Sequence, residues 1–151
     1  LGEQVAKDMI SVPISPEVRM AVVGAPAYLE AHTQPQTPHD LAAHKCINVR
    51  LRARGGLYPW EFERDGRELK VRVEGQVAFN DARLLIKAAR AGLGLAYVFR
   101  DLVEAELAGG ELIEVLTDWT PPFTGYHLYY PSRRQQSPAF ALLVEALRYR
   151  S

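Results

Sequence analysis

The sequence lacks several features that would place it in a special class of protein. It has one cysteine, Cys46, in 151 residues, so it forms no internal disulfide and must gain its stability from an apolar core. It has no uninterrupted apolar run of the roughly 18 to 20 residues that a bilayer span requires, and no secretion-type leader. These absences predict a protein of the reducing cytoplasm with no membrane partner.

An excess of charge of either sign is also missing, because 18 Lys and Arg residues balance 18 Asp and Glu residues. Nucleic-acid binding depends on Lys and Arg clustered over a whole face, so the chain itself is not predicted to bind DNA or RNA. Near Trp60 the sequence does carry several arginines, but acids are interleaved with them and the group is interpreted as a solvated rim: Arg50, Arg52, Arg54 and Arg64.

Motifs for metal, cofactor or nucleophilic chemistry are absent as well. His44 and Cys46 form an H-x-C pair without the further ligands of a zinc site, and no G-x-S-x-G elbow occurs. Gly92 and Gly94 follow a predicted helix, whereas the dinucleotide fingerprint follows a strand. The sequence therefore predicts no cofactor, no metal and no catalytic residue, and Cys46 is interpreted as a small core side chain.

What the sequence does have is an alternation of short apolar strands and amphipathic helices. Strands are predicted at 9–14, 19–23, 46–49, 93–99, 112–116 and 127–130, and a hairpin is predicted around Asp65 and Gly66. Helices are predicted after 24–26, from 37, from 81, over 101–108 and from 138. The first strand is expected to pair with the second, and 93–99 is expected to be a buried parallel strand. The pattern indicates an α/β fold with a mixed sheet.

Asn80 and Asp81 are the most informative polar pair, because they precede a predicted helix. A helix N-terminus presents free N–H groups and the positive end of the helix dipole to a nearby anion. The charge of Asp81 would itself repel an anion, so plain helix capping is the alternative interpretation.

Several landmarks occur in the order typical of the effector-binding domain of LysR-type transcriptional regulators, a bacterial family, and the chain resembles that family over essentially its whole length. Those landmarks are RMAVVGAPAYL at 19–29, TPHDL at 37–41, WEF at 60–62, Asn80-Asp81, AGLGLA at 91–96, GEL at 110–112 and YPSRR at 130–134 followed by Ser137-Pro138.

The resemblance implies a type 2 periplasmic-binding-protein-like fold, with mixed sheets flanked by helices in two subdomains joined by crossover strands. Residues 1–23 would be a remnant of the first subdomain and its crossover, 24–124 the second subdomain, and 125–151 the return crossover strand and the C-terminal helix of the first. The crossovers are expected near 19–24 and 126–130. Most of the first subdomain, and the winged helix-turn-helix that binds DNA, would be absent from this chain.

The resemblance also implies a small-molecule effector in the cleft between the subdomains. Ala25 stands where the family often has a serine, which removes a hydroxyl donor, and Phe99 departs from a frequent proline, so that its ring is expected to narrow the pocket. The effector contacts carried over to this sequence are Gly24, Ala25, Leu57, Tyr58, Asn80, Asp81, Gly94, Leu95, Phe99 and Tyr126.

The function expected from the resemblance is that of a regulatory sensor. An effector would shift the two subdomains within a homodimer or homotetramer, and DNA would be bound only through the absent N-terminal domain. One alternative is a solute-binding protein of a transport system, which shares the fold class. Another is a small α/β enzyme with Asp81 or His127 as acid or base, although no nucleophile or metal set supports it.

Overall fold

The computed structural model of the chain describes residues 8–50, 56–131 and 137–150. Arg52 and Arg54 of the predicted rim, and residues 132–134 of the YPSRR landmark, lie outside these residues. Strands occur as β1 (Met9–Pro13), β2 (Met20–Gly24), β3 (Cys46–Val49), β4 (Trp60–Arg64), β5 (Arg67–Val71), β6 (Ala78–Phe79), β7 (Leu95–Phe99), β8 (Ile113–Val115) and β9 (His127–Pro131). The α-helices are α1 (Pro26–Glu30), α2 (Ala82–Arg90), α3 (Glu104–Ala108) and α4 (Pro138–Leu147), and 3₁₀ helices span Pro38–Ala43, Arg100–Val103 and Thr117–Trp119.

The chain divides into two compact units. The larger unit is Arg19–Pro122, and the smaller unit is formed by the described parts of Leu1–Val18 and Phe123–Ser151. β2 therefore lies within the larger unit, whereas the sequence assigned residues 19–24 to a crossover. The subdomain boundaries after residues 23 and 124 stay predictions.

The larger unit is built on a mixed five-stranded sheet of order β6-β3-β7-β2-β8. β3 runs parallel to both β6 and β7, while β2 runs antiparallel to both β7 and β8. The expected α/β fold with a mixed sheet is confirmed. A parallel strand was predicted at 93–99. This is correct for the pairing of β7 with β3, which is parallel, and wrong for its pairing with β2, which is antiparallel.

Alternation along β2 builds a core on each face of this sheet. Ala21 and Val23 point to one face, where they join Leu85 and Ala89 of α2 in one apolar cluster. Val22 points to the other face, which is covered by the antiparallel hairpin β4–β5. The predicted hairpin is confirmed, and its two-residue turn has positive φ at both central positions, 52° at Asp65 and 74° at Gly66.

The smaller unit corrects the pairing expected for the first strand. β1 pairs antiparallel with β9, from Met9 opposite Pro131 to Pro13 opposite His127, and not with β2. A tight hairpin from β1 into β2 would have to turn through a segment that contains Pro16. That segment is instead extended along the chain near Phe123, with Val18 and Phe123 exchanging two backbone hydrogen bonds of 3.0 and 2.9 Å.

α4 follows in the smaller unit and begins as predicted at Ser137, whose hydroxyl accepts a hydrogen bond from the Phe140 N–H at 3.3 Å. The ring of Phe140 meets Tyr130 of β9 edge-on at 5.2 Å between centroids. The other side of this helix is apolar and exposed, most of all at Leu142, which is 72% exposed. Among the described helices none is long and apolar enough to cross a membrane.

A buried phenol joins α1 to the start of β3. The Tyr28 hydroxyl oxygen accepts the Lys45 N–H at 2.9 Å and lies 3.2 Å from Nδ1 of His44, which is only 8% exposed. Because the Lys45 N–H already donates to the phenol oxygen, we assign the phenol proton to the bond with His44, whose Nδ1 then accepts. Burial, and then the neighbouring His32 ring, lower the pKa of His44 from its usual value, although Thr33 and Asp40 act in the opposite direction.

Folding stability should therefore decrease in mild acid. The pKa of His44 is lower in the folded chain than in the unfolded chain, where it is about 6.5, so on acidification the unfolded chain takes up the proton first and stability is lost between the two pKa values. The free energy of unfolding is expected to fall by up to about 1 kcal/mol per pH unit between these two values through His44, and to be independent of His44 above the higher of them. Urea denaturation at a series of pH values measures this. His44→Gln should flatten the slope, whereas His39→Gln, at an exposed position, should retain it; equal slopes in the parent and His44→Gln would contradict the assignment.

Candidate functional site

Three parallel strands of the larger unit end together at one edge of its sheet. β3 ends at Val49, β6 at Phe79 and β7 at Phe99, and their parallel registers bring these ends to the same side. Because β2 runs the other way, its first residue, Met20, pairs with Phe99 at this edge. We call it the carboxyl edge. In open α/β sheets, ligands bind outside the carboxyl ends of the strands.

Half of the predicted effector contacts lie at the carboxyl edge, namely Leu57, Tyr58, Asn80, Asp81 and Phe99. Backbone bonds hold the returning loop there: Leu57 forms a bridge with Arg50, and the Tyr58 N–H donates to the Val49 carbonyl at 2.8 Å. The Arg50 N–H in turn donates to the Phe79 carbonyl at 2.8 Å. The loop after β3 and the turn after β6 are thus fixed to each other through the backbone.

Asp81 is occupied as the cap of α2. Its carboxylate accepts from the Arg83 N–H at 2.8 Å and from the Arg83 guanidinium at 2.8 and 3.2 Å. The hydrogen bonds from the Arg83 side chain and backbone lower the pKa of Asp81 to about 2. Asn80, one residue earlier, is exposed, and none of the described residues hydrogen-bonds to its side-chain amide. The capping interpretation is therefore correct for Asp81, while the Asn80 amide is left to meet a ligand.

Tyr58 is held as a neutral phenol. Its O–H donates to a Glu61 carboxylate oxygen at 2.5 Å, and Glu61 also pairs with Lys70 at 2.7 Å. Burial, followed by the contact with Glu61, raises the pKa of Tyr58. Tyr58 therefore offers a fixed ring and a hydroxyl oxygen rather than acid–base chemistry.

Four predicted contacts, Gly24, Ala25, Gly94 and Leu95, lie at the opposite end of the strands, which we call the amino edge. Gly94 and Leu95 stand at the start of β7, and the reversal of β2 places Gly24 and Ala25 beside them. Packing accounts for the two glycines. A Cβ on Gly24 would stand 2.8 Å from the buried Leu95 side chain, and one on Gly94 would stand 2.1 Å from the Lys45 carbonyl oxygen. The structure does not bring these four residues to the carboxyl edge.

Tyr126, the last predicted contact, belongs to the smaller unit. Its N–H donates to the Ser15 hydroxyl at 2.7 Å, its carbonyl accepts from the Ile14 N–H at 2.9 Å, and its side chain is exposed. His127 was, with Asp81, one of the two acid–base candidates for an enzyme. Its Nδ1 lies 2.9 Å from the Gly125 carbonyl oxygen. A carbonyl only accepts, so this nitrogen carries a proton.

Sequence reasoning missed charged side chains at the carboxyl edge. Arg19 precedes β2 and Arg100 follows β7, and both pair with Glu114 of β8, the Arg100 Nε at 3.2 Å. Arg50, interpreted as part of a solvated rim, is exposed beside Leu57 and has no ion-pair partner among the described residues. The sequence did contain a signal for these residues, because each arginine stands directly next to one end of a buried strand.

The described residues contain no group of three or more His, Cys, Asp or Glu side chains placed to hold a metal ion. Cys46, at the amino end of β3, is 1% exposed, and burial raises the pKa of its thiol to about 12. Its interpretation as a small core side chain is confirmed.

Comparisons with known proteins agree on one family. The family model described as the LysR substrate binding domain matches residues 2–151. A Pseudomonas aeruginosa protein whose name describes it as a transcriptional regulator is 53% identical over 149 residues, which are 99% of this chain and 49% of that protein. The HTH-type transcriptional regulator PgrR of Escherichia coli K12 is 43% identical over 150 residues, 99% of this chain and 50% of that protein. The chain thus spans about half the length of these relatives.

Solved structures give the same fold. The regulatory domain of AphB from Vibrio vulnificus matches with a TM-score of 0.76 at 19% identity, covering 93% of this chain and 69% of that one. The regulatory domain of CrgA from Neisseria meningitidis, a LysR-type transcriptional regulator, matches with a TM-score of 0.69 at 23% identity, covering 97% of this chain and 70% of that one.

The packing role of Gly94 predicts a large loss of stability in Gly94→Ala. The added methyl would collide with the Lys45 carbonyl at a residue whose φ is +149°, and we expect a loss of about 3 kcal/mol. Gly92→Ala is the matched control, because Gly92 also has positive φ but faces open space; it should cost about 1 kcal/mol. Urea denaturation followed by tryptophan fluorescence compares the two. Equal losses would show that backbone strain alone, and not the collision, determines the requirement for glycine.

Proposed function

This chain belongs to the LysR substrate-binding domain family, and from that premise we propose that it is the effector-sensing regulatory domain of a DNA-binding transcription regulator. The observation that carries the proposal is the carboxyl edge of the larger unit. There an exposed amide, a fixed phenol and two apolar side chains lie outside the ends of parallel strands, where open sheets bind ligands. No covalent chemistry is required of any of them.

We place the effector against Leu57, Tyr58, Asn80 and Phe99. Leu57 and Phe99 supply apolar surface, and Asn80 supplies an amide that is both donor and acceptor. The exposed Arg50 guanidinium nearby favours an effector with a hydrogen-bond-accepting or anionic group, because guanidinium pairs with carboxylates in a two-pronged geometry. Asp81 is given an indirect role, since its cap fixes the start of α2 next to Asn80.

The four residues of the amino edge are given a packing role in this proposal. Gly24, Ala25, Gly94 and Leu95 keep β2 and β7 in close contact and so hold the sheet on which the site is built. Tyr126 stays a predicted contact from the smaller unit, carried by the family resemblance.

The partners of the whole regulator follow from the family and from the length of the relatives. A small-molecule effector, assembly as a homodimer or homotetramer, and DNA binding through an N-terminal domain are proposed for the longer protein, which would act in the cytoplasm. The exposed apolar side of α4 supports this, because a surface of this kind is expected to be covered by other protein. An effector would act by binding one arrangement of the regulator more tightly than another.

Neither alternative function gains support. The relatives are named as transcriptional regulators, which does not favour a solute-binding protein of a transport system. For an enzyme, Asp81 is already paired with Arg83 and His127 with a backbone carbonyl, so neither is poised as an acid or base.

The proposal predicts that Asn80→Ala in the full-length regulator weakens the effector response. Loss of one hydrogen bond to the ligand should raise the half-maximal effector concentration about 3- to 10-fold. DNA affinity without effector should be nearly unchanged, because Asn80 precedes the cap of α2 and supports no packing. The effector is first found by screening small organic acids for thermal stabilisation of the protein. A promoter-reporter dose response then measures the half-maximal effector concentration, and a DNA-binding titration measures the DNA affinity without effector.

The matched control is Gln34→Ala, which removes another exposed amide of the larger unit, away from the carboxyl edge. It should leave both readouts at the parent value. The same dose response in Asn80→Ala and the parent would overturn the placement of the effector. An open reading frame that encodes a secretion signal in place of a helix-turn-helix before this domain would overturn the regulator itself.

A further inference from the structure

A cavity lies at the amino edge, at the far end of the strands that end at the proposed effector site. Its volume is about 220 Å³, and its lining includes Tyr28, His32, Lys45, Gln76, Val77 and Leu93. These residues come from α1 and its end and from the segments that precede β3, β6 and β7. The volume is below the roughly 300 to 1,000 Å³ typical of sites for drug-sized ligands, so the cavity limits an occupant to a small molecule.

One wall of the cavity is polar and fixed. The His32 ring stacks on Tyr28 with 4.2 Å between centroids, and its Nδ1 lies 2.7 Å from the Tyr28 carbonyl oxygen. A carbonyl only accepts, so Nδ1 of His32 carries a proton, and Nε2 is the ring nitrogen left to meet an occupant. Nε2 donates a hydrogen bond to that occupant when the ring is an imidazolium, in which both nitrogens carry protons. Tyr28 is itself held through its hydroxyl by His44 and by the Lys45 N–H. The imidazole is therefore oriented before any ligand arrives.

The charge of the lining is positive. Lys45 is exposed and has no ion-pair partner among the described residues, and no Asp or Glu belongs to the lining. The end of α2 also reaches this region, and a helix C-terminus repels anions. Here its last carbonyls are occupied, because the Ala89 oxygen accepts the Gly92 N–H at 2.9 Å and the Ala88 oxygen accepts the Leu93 N–H at 3.1 Å. Lys45 thus brings a positive charge to the lining, and no acidic side chain of the lining neutralises it.

The remaining wall is apolar, formed by the partly buried Val77 and by Leu93, whose side chain is 45% exposed. A molecule that complements both walls has one negative group and a short apolar body. We propose that this cavity is a second ligand site, for a small carboxylate whose oxygens accept from the Lys45 ammonium and from Nε2–H of the His32 imidazolium and whose apolar body lies on Val77 and Leu93. It is separate from the proposed effector site, which is at the opposite edge of the sheet.

Benzoate, with benzamide as its uncharged counterpart, is the probe that tests this proposal. In amide ¹H–¹⁵N spectra of the chain, benzoate is expected to produce saturable shifts at Lys45, Cys46, Val77 and Leu93, with a Kd in the millimolar range. Lys45→Gln should weaken binding at least about fivefold, His32→Gln should weaken it also, and benzamide should bind more weakly than benzoate.

Two control variants distinguish binding in this cavity from binding elsewhere on the chain. Lys87→Gln removes the same charge from exposed α2 and should leave the benzoate Kd within about twofold of the parent value. Asn80→Ala should also leave it unchanged, because Asn80 lies at the carboxyl edge. Shifts confined to Leu57, Asn80 and Asp81, an affinity that Lys45→Gln does not alter, or no saturable shift in the millimolar range would each overturn the proposal.

Discussion

The reversed central strand β2 is the constraint on which the arrangement of this domain depends. β2 lies between β7 and β8 and is antiparallel to both, while β3, β6 and β7 all run the other way. Its side chains from Ala21 to Val23 are completely buried, and alternation sends them into the two separate apolar clusters. One strand thus contributes to both cores and is fixed at the centre of the sheet. Its direction determines which loops lie together at each edge, because it places the start of β2 beside the end of β7.

The hairpin that covers one face also fixes the carboxyl edge. Trp60, completely buried, stacks on Tyr97 of β7 with 5.4 Å between centroids, and the Tyr97 O–H donates to the Glu61 carbonyl at 2.5 Å. The backbone of β4 is thereby tied to the centre of the sheet. Glu61 then holds the Tyr58 hydroxyl on the approach to the hairpin. The core ring Tyr97 is thus connected to Tyr58, a side chain of the proposed effector site, through two hydrogen bonds that both involve Glu61.

Local signals in the sequence predicted the local structure well. Asp65-Gly66 predicted a two-residue hairpin turn, Asp81 and Ser137 predicted helix starts, and each is confirmed because the neighbouring residues alone determine such features. Strand partners were predicted less well. β1 pairs with β9, more than a hundred residues away in the chain, and nothing in its own alternation of apolar side chains specifies that choice.

The same limit explains the division of the predicted site. Gly24 was assigned to the ligand with Asn80 and Phe99, but residues that follow β2 and residues that follow β7 can share an edge only if the two strands are parallel. Gly94 precedes β7 and Phe99 ends it, so these two residues lie at opposite edges for either direction of β2. Periodicity gives the face of a strand and is silent on its direction. The predicted contacts that do lie together at the carboxyl edge include an amide before a helix cap, Asn80, and a ring at the end of a buried strand, Phe99.

Two proposed ligand sites at opposite ends of one sheet raise the question of how a ligand at either end could cause a response. β3 and β7 connect the two edges directly, but most of their residues are buried, and close packing leaves such side chains little room to rearrange. A ligand shifts an equilibrium only when two states bind it with different affinity. The sheet would therefore supply fixed contacts for the proposed ligands at both edges. The conformational change of the proposed sensor would then occur in parts of the regulator outside this sheet.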